Sequence, residues 1–103
     1  MKSTFAHLAA RRAIARESSL PRLLAHVRMH FDTRRSAWAL LSPEKVLWPD
    51  EISLAILNLC DGKTSAGSIA AALSAEYAAD ETEVRADVLA FLQDWSDRMV
   101  VRL

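Results

Sequence analysis

Residues 26–48 read HVRMHFDTRRSAWALLSPEKVLW, and the alternation within this stretch decides the fold. Apolar and polar residues alternate over His26–Phe31, which is the period of a half-buried β-strand. Asp32–Arg35 is a polar connection typical of a hairpin turn, and Ser36–Leu41 follows as a second strand. After a Ser-Pro break, Lys45–Trp48 is short and apolar enough for a third strand. The stretch therefore predicts a small antiparallel meander of three strands.

Three helices are predicted to follow the meander. The first begins at Pro49, and Gly62 is expected to end it as a left-handed cap. Ser65 is the expected N-cap of the second helix, and Asp80 is that of the third. Apolar stripes at helical spacing run through the first helix (Ile52, Ile56, Leu59, Cys60) and the third (Val84, Val88, Phe91, Leu92, Trp95, Met99). Val100–Leu103 predicts a short terminal strand.

These elements predict an α+β, winged-helix-like fold, in which a three-stranded antiparallel sheet is followed by a three-helix bundle. The chain has 103 residues, 51% of them hydrophobic, which is enough for one modest core. We assign residues 21–103 to this domain. Residues 1–20 form an N-terminal extension, which we expect to be flexible because its apolar content is thin. Trp38 and Trp95 are expected in the core, and Trp48 is expected to be partly exposed.

Neither a membrane segment nor a secretory signal is predicted. No apolar run approaches the roughly 20 residues that span a bilayer, so we expect a cytoplasmic protein without membrane contact. The Arg-rich, acid-poor start of the chain leaves an organelle transit peptide open as an alternative. Cys60 is the single cysteine, so an internal disulfide is impossible.

The zero net charge hides a strong polarity along the chain. Residues 1–48 carry 9 Lys and Arg against 3 acids, and residues 49–103 carry 4 against 10. The basic half is expected to attract an acidic partner, unless the two halves simply attract each other within the fold. The sequence leaves both interpretations open.

The sequence offers no convincing catalytic or metal-binding set. His26 and His30 share one strand face, but no third ligand joins them at a suitable spacing. Cys60 lies in an apolar helix stripe without a neighbouring base, which favours a buried structural thiol. The chain has only 2 glycines and no phosphate-binding loop. These residues therefore give no support for an enzyme or for a metal site.

An ordered series of short motifs is more specific than any one of them. The series is HVRMHFD at 26–32, WALLSPEKVL at 38–47, PDE at 49–51, ILNLCDG at 56–62, Ile69, and DVL at 87–89. It resembles the PqqD family of precursor-peptide recognition domains, and the resemblance covers residues 21–103. Two positions depart from the family pattern: Met99-Val100-Val101 replaces a usual glycine, and Gly67 falls in the first turn of the second helix.

The resemblance implies a peptide chaperone with no cofactor or catalysis of its own. Such a domain binds the PqqA precursor peptide and presents it to the radical S-adenosylmethionine enzyme PqqE, which joins a Glu and a Tyr of the peptide in pyrroloquinoline quinone biosynthesis. The peptide adds as a strand beside the third strand and rests against the third helix. The corresponding positions here are Lys45, Val46, Leu47, Arg85, Val88, Leu89 and Leu92. A monomer and a homodimer are both compatible with this interpretation.

Two other classes of function stay open. A winged helix can bind DNA through its third helix, but Glu81–Arg98 carries five acids against two Arg, which repels phosphate. We therefore expect no nucleic-acid partner. A purely structural module that contacts only another protein is the second alternative.

Overall fold

The structure is a computed structural model and describes residues 12–103. The first eleven residues of the predicted extension lie outside the described residues. The strands are β1 (Arg22–Leu23), β2 (Arg28–Asp32), β3 (Ala37–Leu41), β4 (Val46–Leu47) and β5 (Val101–Arg102). The helices are α1 (Glu51–Asn58), α2 (Ala66–Tyr77) and α3 (Glu81–Asp97). The predicted order of a small antiparallel sheet followed by three helices is confirmed.

The predicted meander forms a sheet in the order β2-β3-β4. Met29 pairs with Leu40, and Leu40 pairs with Leu47, so these apolar side chains share one face of the sheet. The hairpin turn is closed by Asp32, whose Oδ1 accepts a hydrogen bond from Arg35 N at 3.0 Å. Leu40 is fully buried beneath the helices. The sheet therefore covers one side of the helical core.

A second, two-stranded sheet was missed by the sequence analysis. β1 pairs antiparallel with β5, and Leu24 N donates to Val100 O at 3.1 Å just beyond the pair. The terminal strand was predicted, but its partner Arg22–Leu23 is too short to show an alternating pattern. The pair joins the start of the domain to its end.

The predicted N-caps of the three helices agree with the structure at two positions and shift at the third. Ser65 accepts from Ser68 N at 3.1 Å, and Asp80 accepts from Glu83 N at 3.0 Å. In α1 the cap is Asp50, whose carboxylate accepts from Ser53 N, so Pro49 precedes the helix rather than opening it. Gly62 does have a left-handed φ of 77°, but it lies in the turn after the helix ends at Asn58.

Three predicted core positions are exposed. Trp38 lies on the same face of the sheet as Leu40 but nearer the hairpin turn, where the helices do not cover the sheet, and it is 44% exposed. Its ring packs edge-on against Phe31, with the ring centroids 5.3 Å apart. Met99 is exposed because α3 has ended and the backbone turns left-handed there, with φ of 62°. Ile52 lies on the outer side of α1 and is 44% exposed. Trp95 is buried as expected, and Trp48 is partly exposed as expected.

Residues 12–19 run along α3 outside any helix or strand and end in a turn in which Ser19 N donates to Arg16 O, and we call this segment the arm. Gln93 binds the arm backbone twice, donating from Nε2 to Ala13 O at 3.0 Å and accepting at Oε1 from Ala15 N at 2.9 Å. The first turn of α2 is also tied to the arm, because Glu17 O accepts from Gly67 N at 2.9 Å. A side chain at Gly67 would begin 3.4 Å from that same oxygen. The glycine that departs from the family pattern therefore lies where the arm comes close.

Candidate functional site

One face of α3 is left open by the rest of the fold. Val84, Asp87, Phe91, Asp94 and Arg98 recur at intervals of three and four residues, which places them on the same side of the helix. Where this face passes α1, the exposed side chains of Ile52 and Tyr77 join Val84, Asp87 and Phe91 around an apolar depression. The apolar groups on this side of α3 are only partly covered by the rest of the fold, and such a surface is suited to bind another apolar segment.

The same face of α3 ends beside the sheet. Arg98 and Met99 line a second depression together with His26, Lys45 and Leu47. Arg98 and Phe91 are seven residues apart, which is about 10 Å along the helix axis and nearly two full turns. The face therefore leads from the apolar depression at α1 to the edge strand β4.

β4 is an edge strand, and its outer side is free among the residues that the structure describes. Lys45 O accepts from Ser42 N at 3.0 Å, so the backbone of Lys45 faces β3. Backbone groups alternate in direction along an extended strand, which turns the N–H and C=O of Val46 toward the open edge. Val46 is 50% exposed. The strand can thus accept a further strand through this residue.

The residues predicted to bind peptide are distributed over different parts of the structure. Val46 and Leu47 form β4 at the open edge and Lys45 directly precedes it, whereas Val88 and Leu92 are fully buried core residues. Arg85 and Leu89 lie on the opposite side of α3, where Arg85 Nε contacts Glu17 of the arm at 2.7 Å. The structure therefore brings the β4 residues together with Arg98 and Met99, and not with Arg85. The peptide-binding role of the predicted set stays a prediction.

Ile52 and Phe91 were interpreted from the sequence as members of apolar stripes, and their place at the apolar depression, beside Tyr77, was missed. A signal was present, because the apolar stripe of the first helix is wide for such a short element. Burial depends on which neighbour covers a side chain, and the sequence does not specify that neighbour. Arg98 and Met99 were missed because the end of α3 could not be placed beside β4.

The charges on the open face are mixed and mainly acidic. Arg98 Nη1 lies 3.4 Å from Asp94 Oδ2, and Asp87 lies one turn before Phe91. Desolvation raises the pKa of Tyr77, and the negative charge of the neighbouring Glu51 raises it further. An acidic helix face of this kind is unsuited to contact DNA phosphates.

No residues are assembled for metal or nucleophilic chemistry within residues 12–103. No group of three His, Cys, Asp or Glu side chains there could hold a metal ion. Cys60 is buried, and desolvation raises the pKa of its thiol to about 12, so the reactive thiolate is strongly disfavoured. None of the helices among these residues is long and apolar enough to cross a membrane.

The fold and this face define a small α+β recognition domain with an open sheet edge. The family model described as Coenzyme PQQ synthesis protein D (PqqD) matches residues 37–101. The chain belongs to the PqqD family.

Relatives and solved structures of this family are similar over most of the chain. The chain is 46% identical over 91 residues to a PqqA binding protein of Rhodopseudomonas palustris, covering 88% of this chain and 89% of the relative. It is 39% identical over 83 residues to a PqqA binding protein of Xanthomonas oryzae pv. oryzae, covering 81% and 90%.

Two solved structures of PqqD proteins match the fold. The solution NMR structure of the PqqD part of Methylobacterium extorquens PqqCD is 34% identical, with a TM-score of 0.73, and covers 89% of this chain and 97% of its own. That protein is described as a functional, stand-alone recognition element for ribosomally synthesised and post-translationally modified peptides. The crystal structure of PqqD from Xanthomonas campestris is 37% identical, with a TM-score of 0.55, covering 88% and 100%.

Proposed function

We propose that this protein binds a PqqA-type precursor peptide in the cytoplasm and presents it to a PqqE-like radical S-adenosylmethionine enzyme during pyrroloquinoline quinone biosynthesis. It performs no catalysis of its own. The observation that carries the proposal is the similarity, over 88% of the chain, to relatives named PqqA binding protein. The open edge of β4, near a helix face with an apolar depression, supports it, because such an edge can bind an extended peptide.

In this proposal the peptide pairs with the outward backbone groups of Val46 and extends along the open face of α3. Its apolar side chains enter the depression at Ile52 and Phe91, which supplies specificity. We call the β4 edge together with the open face of α3 the groove. Lys45 and Arg98 attract peptide carboxylates near the end of this groove. In this proposal Lys45, Val46 and Leu47 keep the peptide-binding role predicted from the sequence. Arg98 and Phe91 replace Arg85 and Leu89, which face the arm.

An amide-shift titration with the PqqA peptide of the same organism tests this binding mode. Val46→Pro removes the outward donor and should weaken binding by about tenfold or more, since edge pairing depends on it. Val46→Thr keeps both the donor and the branched shape and serves as the matched control. Shift changes clustered on the arm side of α3, with parental affinity in a folded Val46→Pro variant, would contradict the proposed mode.

A second pair of variants tests which side of α3 is used. Ile52→Asp places a charge in the apolar depression and should weaken binding by about tenfold, because the carboxylate is desolvated when the peptide binds. Arg85→Glu changes charge on the opposite side and should leave the affinity within about twofold. The proposed side of α3 is rejected if Arg85→Glu weakens binding and Ile52→Asp does not.

A further inference from the structure

A basic patch lies at the β1–β5 sheet, away from the proposed peptide groove. Arg22 and Arg102 are direct cross-strand partners, so their exposed side chains project from the same face of the pair. Lys63 and the exposed Leu20 line the same shallow depression. Like charges placed directly opposite each other on a strand pair are destabilising. The fold therefore holds two cations together at some cost to its own stability.

These cations lack ion-pair partners within the part of the chain that the structure describes. The carboxylate contacts there involve Arg12, Arg85 and Arg98, and none involves Arg22, Lys63 or Arg102. Asp61 carries the acidic side chain at the depression, but its carboxylate is used locally: Oδ1 accepts from the backbone N–H groups of Lys63 and Thr64 at 2.8 Å. These hydrogen bonds lower the pKa of Asp61 and direct its carboxylate toward the N–H groups of its own turn.

The aliphatic stem of Arg22 packs against a neighbouring turn. Gly62 N donates to Pro21 O at 2.9 Å, which brings the Gly62 turn alongside β1. A Cβ built on Gly62 would lie 3.4 Å from Arg22 Cδ, so the stem of Arg22 lies flat across the glycine. A cation that is already positioned loses less side-chain entropy when it binds an anion.

We propose that Arg22, Lys63 and Arg102 form a docking surface for an acidic segment of a partner protein, with Leu20 contacting an apolar side chain of that segment. Carboxylates neutralise the facing arginines and remove the repulsion between them, which makes the attraction specific to this pair of strands. The exposed leucine favours a peptide over a free phosphate, because a phosphate ion gains nothing from an apolar contact. This surface is separate from the β4 edge, so the acidic segment of the partner and the precursor peptide can bind at the same time.

A labelled peptide of alternating glutamate and leucine residues is the probe, and its glutamine counterpart is the control. Amide shifts are expected at the patch, around Leu20–Arg22, Asp61–Thr64 and Val101–Leu103. Arg22→Gln with Arg102→Gln should weaken the glutamate probe by about tenfold. Arg28→Gln with Arg34→Gln makes the same charge change on the exposed β2–β3 hairpin and should have an effect under about twofold. Equal losses in both double variants would overturn the proposal, since they would indicate general charge attraction.

Stability provides an independent readout of the facing arginines. Because the two cations repel each other, Arg22→Gln with Arg102→Gln should raise the melting temperature by about 2–4 °C. A decrease would overturn the proposal, because it would mean that the arginines stabilise the fold. Displacement of the probe by inorganic phosphate at equal ionic strength, or tighter binding of a single-stranded RNA, would also overturn it. Binding of the PqqA peptide in the β4 groove should be unchanged in this variant, so the two proposals fail separately.

Discussion

A single dihedral angle at Met99 shows what a glycine would contribute at one of the two positions that depart from the family pattern. The resemblance implies a glycine near this position, and the structure gives Met99 a φ of 62°, in the left-handed region that glycine favours. Met99→Gly should therefore raise the free energy of unfolding by about 1 kcal/mol, measured by urea denaturation. Arg98→Gly, one residue earlier with φ of −87°, should lower it instead. A destabilised Met99→Gly variant would mean that the contacts of the Met99 side chain outweigh the backbone strain.

The buried Trp95 tests the packing of α3. Trp95→Ala should cost about 3–5 kcal/mol in the free energy of unfolding, because it leaves a cavity beside Phe91, whose ring lies 6.3 Å away. Trp38→Ala removes the same side chain from an exposed position and should cost about 1 kcal/mol. Equal costs for the two substitutions would show that the assigned burial of α3 is incorrect.

The buried thiol of Cys60 gives a prediction about pH. Desolvation raises its pKa from 9.0 to about 12 in the folded protein, and its Sγ donates to Ile56 O at 3.2 Å. The folded state holds this proton more tightly than the unfolded state. The associated stability is therefore fully present below about pH 9 and is lost as the pH rises toward 12. In a Cys60→Ala variant the decline of stability over this range should be shallower, as measured by urea denaturation at several pH values.

At the scale of elements, the arm depends on contacts that the sequence does not reveal. Most of its residues are small or charged, so the sequence predicts little burial for it. The structure attaches residues 12–19 through backbone groups, whose partners no periodicity can specify. Gln93 is the central contact, since its amide matches one donor and one acceptor of an extended backbone. The long helices and their caps were predicted because their signals are local.

Gln93→Met should release the arm from α3 while preserving the shape of the side chain. Two hydrogen bonds to the arm backbone are lost, and we expect a cost of about 1–3 kcal/mol in the free energy of unfolding. Asp94→Asn, at the next residue on the exposed side of α3, is the control and should change stability by less than about 0.5 kcal/mol. Hydrogen exchange at Ala15 should accelerate in Gln93→Met, and an unchanged rate would contradict the proposed anchoring role.

At the scale of the whole molecule, the sequence predicted the α+β class and most of the sheet and helices, but not how α3 is oriented against the sheet. The apolar stripe of α3 contains both buried residues, such as Leu92, and residues at the open face, such as Phe91. These two residues are consecutive and lie about 100° apart around the helix axis, and only the positions of α1 and β4 determine which of them is covered. For the same reason the sequence could not decide which side of α3 is open, and the α3 residues predicted to bind peptide include the buried Val88 and Leu92.

The β1–β5 pair joins the strand after the arm to the strand after α3. Because this pairing connects the two ends of the domain, we expect the domain to unfold as one unit. Val101 is buried and pairs with Leu23. Val101→Ala should cost about 2 kcal/mol of unfolding free energy. It should accelerate hydrogen exchange of Leu24, whose N–H bonds to Val100 O, by the same factor as the slowest amides of α3. Arg102→Thr, at the exposed neighbouring position, is the control and should not accelerate either. If Leu24 exchanges faster while the α3 amides are unaffected, the strand pair opens on its own, and the closure is a local contact rather than part of the cooperative core.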